Sequence, residues 1–253
     1  MTVAATRGAS RRLVIWRQFR RQPSAIAGGA ILLLLVLGAI CAPLLAPYGP
    51  AEQIRGASLQ PPSGTYLLGT DVFGRDIFSR VLYGGRISLR IGLISVAIAA
   101  TGGIILGMVA GYYGRWADTL IMRFMDMLLA LPGILMALVI VAVLGPSITN
   151  VMLAVGVSAV PAFTRIVRGS VLAAREMTYV EAARVVGARD RVILRRHILP
   201  NIVAPVIVLG TLNIASAIII GASLSYLGVG VQPPTSEWGA MLSDGRDYLR
   251  AQW

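Results

Sequence analysis

Few side chains in this sequence could carry out chemistry. Its 253 residues include 11 acidic residues, one histidine (His197) and one cysteine (Cys41), and all 23 basic residues are arginines. A chain without lysine lacks the Gly-x-x-x-x-Gly-Lys-Ser/Thr loop that binds the phosphates of ATP. No cluster of Cys, His or carboxylates has the spacing of a metal site, and no nucleophile is paired with a base. We therefore expect no catalytic residue, no metal and no cofactor in this chain.

The composition instead indicates a polytopic membrane protein. Hydrophobic residues make up 56% of the chain and charged residues 13%, with a mean hydropathy of +0.75. A soluble domain carries roughly twice that charged fraction. A membrane-spanning helix needs about 20 largely apolar residues. An all-α helical bundle is therefore expected, with five spans at residues 25–46, 91–114, 127–144, 148–164 and 202–227.

Two long uncharged stretches require a decision about where helices end. Residues 127–164 exceed one crossing, and Gly145-Pro146-Ser147 is a strong turn signal that divides them into two spans. Residues 198–236 are interpreted as containing one span, 202–227, because a turn at 210–213 would leave two halves that are too short to cross the membrane.

The arginines predict how the spans are oriented. If the N-terminus lies inside the cell, 16 of the 23 arginines lie on the cytoplasmic side, in agreement with the positive-inside rule. The net charge of +12 then follows from topology, and we expect no nucleic-acid partner. The chain divides into a cytoplasmic basic arm (1–24), a first membrane helix (25–46), an external segment (47–90), a membrane core with a cytoplasmic loop (91–227, loop 165–200) and an external tail (228–253).

The cytoplasmic loop contains signals for a short, well-delimited helix. Thr178 and Glu181 have the spacing of a capping box at a helix start, and Gly187 is placed to end the helix in a left-handed conformation. These signals predict a helix over residues 179–186. From the residues alone, this helix is either a protruding element that docks in a partner protein or part of a solvated loop. Its apolar positions recur at helical spacing and form one stripe: Tyr179, Ala182, Ala183 and Val186.

Other residues near the spans are given structural roles. Asp190 is predicted to cap a second helix that Pro200 ends at the membrane. Asp126 is the acid nearest to a span; it either forms an ion pair with Arg123 or relays protons, and the ion pair is favoured. Close helix packing is predicted from small residues spaced four apart: Gly103, Gly107 and Gly111.

The external segments hold a second group of charged residues. Asp71, Arg75 and Asp76 either contact a delivery protein or stabilise a local helix in which Asp76 pairs with Arg80, and the second alternative is favoured. In the tail, contact with a solute-binding protein is considered for four residues: Glu237, Trp238, Asp244 and Asp247.

Three motifs resemble the permeases of ABC importers, and within them the peptide/nickel family. The likeness is strongest to the dipeptide and oligopeptide "C"-type permeases, although His197 stands where the family often has Ile. The motifs are LLGTDVFGRD at 67–76 with SR at 79–80 and GGRISL at 84–89, RFMD at 123–126 with LP at 131–132, and EAA at 181–183 with Gly187 and ILP at 198–200.

The resemblance implies a type I ABC-importer transmembrane fold and a helix from Glu181 to Gly187 that docks in an ATP-binding subunit. It implies a sixth span beyond the five that these 253 residues contain. The implied partners are a second homologous permease, two ATP-binding subunits that hold ATP and Mg²⁺, an extracytoplasmic solute-binding protein and membrane lipid. The residues implied in coupling to the ATPase are Tyr179, Glu181, Ala182, Ala183, Arg184, Gly187, Leu199 and Pro200.

We therefore expect a transport subunit of the bacterial cytoplasmic (inner) membrane, which translocates dipeptides or oligopeptides with energy from a separate ATPase. A nickel importer of the same family is an alternative. An alternative from another class is a channel or secondary carrier that works without ATPases.

Overall fold

The computed structural model describes residues 22–248, so residues 1–21 of the predicted basic arm lie outside the described residues. Within the described range the chain is helical, and no strand forms there beyond an isolated bridge between Thr70 and Asp76. A 3₁₀ turn, Arg246–Tyr248, ends the range. The helices are α1 (Pro23–Ile40), α2 (Ala42–Leu45), α3 (Ile77–Tyr113), α4 (Arg115–Leu129), α5 (Gly133–Leu144), α6 (Ile148–Arg175), α7 (Thr178–Val185), α8 (Asp190–Tyr226) and α9 (Trp238–Gly245).

Four of these helices are long and apolar enough to span a membrane: α1, α3, α6 and α8. The predicted break at 145–147 and the single span over 202–227 are both confirmed. Helix α3 has 37 residues and is about 55 Å long, whereas the hydrocarbon core is about 30 Å thick. It begins at Ile77, so residues 77–90 of the predicted external segment are helical and continuous with the span.

The predicted span at 127–144 is wrong as a single helix. Helices α4 and α5 meet at 90° across residues 130–132. Pro132 has no backbone N–H, and it also disfavours a helical conformation at Leu131, so the helix stops there. Together the two helices form a bent pair that counts as a fifth candidate span.

Helices α3 and α6 pack with their backbones in close contact. The glycines of α3 face α6 in register, Gly103 against Phe163, Gly107 against Val167 and Gly111 against Val171. Residue numbers increase together along both helices, so α3 and α6 run parallel. The predicted role of these glycines in close helix packing is confirmed.

Helix α8 runs in the opposite direction. Its Gly210 lies against Val96 and its Gly221 against Ile91, so residue numbers on α8 rise as those on α3 fall. Helix α7 therefore lies at the end of the bundle where α3 and α6 finish, which we call the α7 end. Residues 47–76 and 228–248 lie at the other end, which we call the cap end.

At the cap end, the tail packs onto the start of α3. The Glu237 carboxylate is fully buried and accepts hydrogen bonds from the Gly239 and Ala240 amides, each at 3.0 Å, and from the Ser88 hydroxyl at 3.1 Å. The Trp238 Nε1 donates to the Val81 carbonyl at 3.0 Å. Glu237 is thus a helix cap, and its predicted contact with a solute-binding protein is wrong because no part of it reaches the surface.

The packing of α3 on α6 predicts that a methyl group added at Gly107 destabilises the protein. A Cβ at Gly107 would lie 2.7 Å from the Val167 Cβ and 2.8 Å from the Thr164 carbonyl oxygen, so Gly107→Ala should destabilise the protein by about 1–3 kcal/mol. The thermal midpoint in detergent should fall by about 2–4 °C per kcal/mol. The control is Gly169→Ala on α6, where no atom lies within 4 Å of the new Cβ. Equal midpoints for the two variants would contradict this packing.

Candidate functional site

The candidate site is the surface formed by residues 176–201 at the α7 end. Helix α7 has eight residues and ends as predicted, because Gly187 is left-handed with φ +80°. The Gly187 amide donates to the Arg184 carbonyl at 2.9 Å, and the Ala188 amide donates to the Ala183 carbonyl at 3.0 Å. These bonds satisfy carbonyls that the end of a helix leaves free.

The predicted capping box at the start of α7 does not form, and that prediction is wrong. Met177 occupies the N-cap position and no side chain caps the helix. Only two residues separate α6 from α7, so α7 begins at Thr178 and places this residue inside its first turn. A residue inside the first turn cannot cap it.

Helix α7 is anchored by one buried side chain. Val180 is 0% exposed and belongs to the hydrophobic core together with Ile193 and Ile198, and Ala183 packs against the same core. The predicted apolar stripe is therefore divided between two faces. Ala183 points inward, whereas Tyr179, Ala182 and Val186 are exposed.

The outward side of α7 combines exposed apolar side chains with charged ones. Val185 is 83% and Val186 is 87% exposed, and Met177 and Tyr179 are exposed as well. Glu181 and Arg184 are also at the surface. Isolated exposed apolar residues are ordinary, but neighbouring ones on a rigid, polar-rimmed element are typical of protein contact sites.

The remaining predicted coupling residues lie on α8. Leu199 is half-buried against the core and Pro200 is exposed. Pro200 does not end a helix as predicted, because a π-helical turn, Ile193–Ile198, precedes it and α8 continues to Tyr226. A proline cannot complete an ordinary helical hydrogen bond, and a π turn widens the helix locally.

Two polar contacts join α7 and its flanking residues to the membrane helices. The Asn201 amide on α8 donates to the Tyr179 hydroxyl at 3.1 Å. The Tyr112 hydroxyl on α3 donates to an oxygen of Asp190 at 2.7 Å. Asp190 was expected to cap a helix, but no side-chain cap forms there. Tyr112 and Asn201 were not predicted from the sequence, since neither lies within a local pattern that includes its partner.

Ion pairs fasten α4 to α6 at the same end of the bundle. An Nη of Arg168 donates to Asp118 at 2.6 Å, and Arg165 donates to Asp126 at 2.7 Å. Asp126 is thus part of an ion pair, but with Arg165 on another helix and not with Arg123 as predicted.

At the cap end, the predicted residues Asp71, Arg75 and Asp76 form part of the fold. The Arg75 Nε lies 2.6 Å from an oxygen of Asp71, and Arg80 lies 3.7 Å from Asp71 and from Asp244. Asp76 caps α3 by accepting from the Ser79 amide at 2.8 Å, so the predicted Asp76–Arg80 pair does not form. Burial of Arg75 and Asp76 supports their interpretation as structural residues.

The described part of the chain, residues 22–248, contains no group of three or more His, Cys, Asp or Glu side chains arranged to hold a metal ion.

Comparison with known proteins places this architecture in a family. Residues 103–246 match the model of the binding-protein-dependent transport system inner membrane component, and residues 10–62 match the N-terminal transmembrane domain of oligopeptide transport permease C. The chain belongs to this permease family. It is an integral inner membrane protein and a transport subunit, as the motifs at 67–89 and 181–200 predicted.

Similar curated proteins are permease subunits over nearly the whole length of this chain. A di/tripeptide transport system permease protein of Pseudomonas aeruginosa (strain UCBPP-PA14) is 45% identical over 244 residues, which are 94% of this chain and 80% of that protein. A dipeptide transport system permease protein of Alkalihalophilus pseudofirmus is 46% identical, covering 94% and 79%. A glutathione transport system permease protein of Escherichia coli O157:H7 is 49% identical, covering 91% and 77%.

The fold is also found in a solved transporter. A chain of the MetNI methionine ABC transporter, solved in inward-facing conformations, aligns with a TM-score of 0.55 over 69% of this permease and 83% of that chain, at 16% identity. The predicted type I ABC-importer transmembrane fold is confirmed.

The anchoring of α7 predicts unequal roles for two valines of the same helix. Val180→Ala removes buried apolar volume and should destabilise the attachment of α7 by about 2 kcal/mol, whereas Val185→Ala changes an exposed position. Amide hydrogen exchange of residues 178–187 should accelerate about tenfold or more in Val180→Ala alone. Equal exchange in both variants would mean that Val180 does not anchor α7.

Proposed function

We propose that this permease takes up short peptides with energy from a separate ATP-binding subunit, and that α7 is the element on which this subunit acts. The observation that carries the proposal is the division of α7 into a buried and an exposed face. Val180 attaches the helix to the bundle, whereas Val185 and Val186 point away from it. A load applied to the exposed face therefore reaches the membrane helices through the buried one.

The α7 end is assigned to the cytoplasm. Eight arginines lie between residues 165 and 196, and the positive-inside rule places such loops on the cytoplasmic side. With this orientation the N-terminus is cytoplasmic, and the cap end meets the extracytoplasmic solute-binding protein.

ATP and Mg²⁺ belong to partner subunits in this proposal. The sequence has no lysine and hence no phosphate-binding loop of the Gly-Lys-Ser/Thr type. Two ATP-binding subunits and a second homologous permease complete the assembly. Closure of the ATP-binding subunits would move the two α7 helices, and rigid-body rotation of the permeases would open the bundle alternately to each side.

The substrate class rests on the named relatives. The relatives described above are permeases for dipeptides, di/tripeptides and glutathione, and glutathione is itself a tripeptide. Short peptides are therefore the substrate that these relatives have in common. The complete assembly should accumulate labelled alanyl-alanine or glutathione in proteoliposomes only when ATP is supplied to the ATPase side. Equal accumulation without ATP would favour a carrier.

The docking role of α7 predicts a strong effect of charge at Val186. Val186→Glu would place a carboxylate in a desolvated interface, which costs several kcal/mol, and uptake of labelled dipeptide should fall at least tenfold. Co-purification of the ATP-binding subunits should be lost as well. The control Val186→Ile keeps the position apolar and should retain both properties.

Because Val186 is 87% exposed, neither variant disturbs the fold of the permease itself, and its amount in the membrane should be unchanged. Normal uptake and normal co-purification in Val186→Glu would exclude α7 as the docking element.

A further inference from the structure

We infer that Tyr112 is a positioning residue that fixes the C-terminal side of α7 to the end of α3, so that movement of α7 is passed to α3. This inference rests on the proposed function of α7, but the attachment itself can be measured without transport.

The geometry around Tyr112 joins three separate segments. Its hydroxyl donates to Asp190 at 2.7 Å, and Asp190 is the first residue of α8. The guanidinium carbon of Arg184, in the last turn of α7, lies 5.7 Å from the centre of the Tyr112 ring, within the range of a cation–π contact. One side chain of α3 therefore contacts both the end of α7 and the start of α8.

Within residues 22–248, α7 and α3 share no extensive packing contact. Among the described residues, α7 packs mainly against the π turn of α8 and against α6, and the Tyr179–Asn201 hydrogen bond also leads to α8. The contact of Tyr112 with Arg184 joins α7 directly to α3.

Helix α3 is the element best placed to carry such a movement across the membrane. It runs unbroken from Ile77 to Tyr113. At the cap end, its Val81 carbonyl accepts a hydrogen bond from Trp238. Its Arg80 lies in the charged cluster with Asp71, Arg75 and Asp244. At its other end, the Arg175 guanidinium of α6 donates to the Gly111 carbonyl at 3.0 Å. A displacement at Tyr112 is therefore transmitted to the cap end by a rigid helix.

The chain offers a matched control in the next residue. Tyr113 is exposed, and its ring meets the Tyr112 ring edge-on at 5.3 Å. Within residues 22–248 its hydroxyl makes no hydrogen bond, so Tyr113→Phe removes a hydroxyl without breaking a hydrogen bond there. Tyr112→Phe keeps the ring below Arg184 and removes the hydroxyl that donates to Asp190. Asp190→Asn keeps an acceptor oxygen, and Asp190→Ala removes it.

The first experiment measures amide hydrogen exchange of residues 178–190 in the purified full-length permease. A hydrogen bond of this kind is expected to change the exchange rate about two- to tenfold. We expect faster exchange in Tyr112→Phe and Asp190→Ala, no further change when the two are combined, and wild-type exchange in Tyr113→Phe and Asp190→Asn. Equal exchange in the two tyrosine variants would overturn the inference.

The second experiment measures labelled dipeptide accumulated per ATP hydrolysed, with the full assembly in proteoliposomes. We expect this ratio to fall about two- to tenfold in Tyr112→Phe while ATP hydrolysis and subunit assembly persist, and to be unchanged in Tyr113→Phe. A wild-type ratio in Tyr112→Phe would overturn transmission through α3. If the wild-type assembly shows no ATP-dependent uptake, the proposed function fails, and the exchange experiment still decides the attachment.

Discussion

The architecture depends on the backbone contact between α3 and α6. Within a lipid bilayer no water is released when apolar helices meet, so association depends on close van der Waals packing. Three glycines on α3 allow Phe163, Val167 and Val171 to approach the helix axis. In this contact the two helices run parallel, and a parallel pair needs a connection that returns across the bundle. Helices α4 and α5 provide it, with a right-angled bend at Pro132.

Charged residues gather at the two ends of the bundle, the cap end and the α7 end. At the cap end, Arg75 and Arg80 are buried beside Asp71 and Asp244, and at the α7 end Arg165 and Arg168 hold α4. A buried charge is costly unless an opposite charge lies beside it, so the group at the cap end also determines which segments meet there. Helix α3 takes part in that group through Arg80, and at the α7 end its Gly111 carbonyl accepts a hydrogen bond from Arg175.

Local signals in the sequence were sufficient for several features that depend on neighbouring residues, but not for the capping box of Thr178 and Glu181, which does not form. Four spans follow from apolar length, the break before α6 follows from Gly145-Pro146-Ser147, and the end of α7 follows from the left-handed conformation that Gly187 tolerates. Pro132 and Pro200 were present in recognised motifs, yet one bends the chain and the other is accommodated by a π turn. Which of these happens depends on tertiary packing. Tyr112 and Asp190 are 78 positions apart, and only the fold brings them together.

In the proposed coupling, the attachment of α7 combines one buried side chain with contacts near the surface. The start of α7 has no side-chain cap, and its end is closed by the left-handed Gly187. Val180 provides the buried attachment, whereas Tyr179 and Arg184 use contacts near the surface. Contacts of the latter kind are individually weak, since water competes for them. In the proposed coupling, Val180 holds the helix to the bundle while the polar contacts direct its movement to α3 and α8.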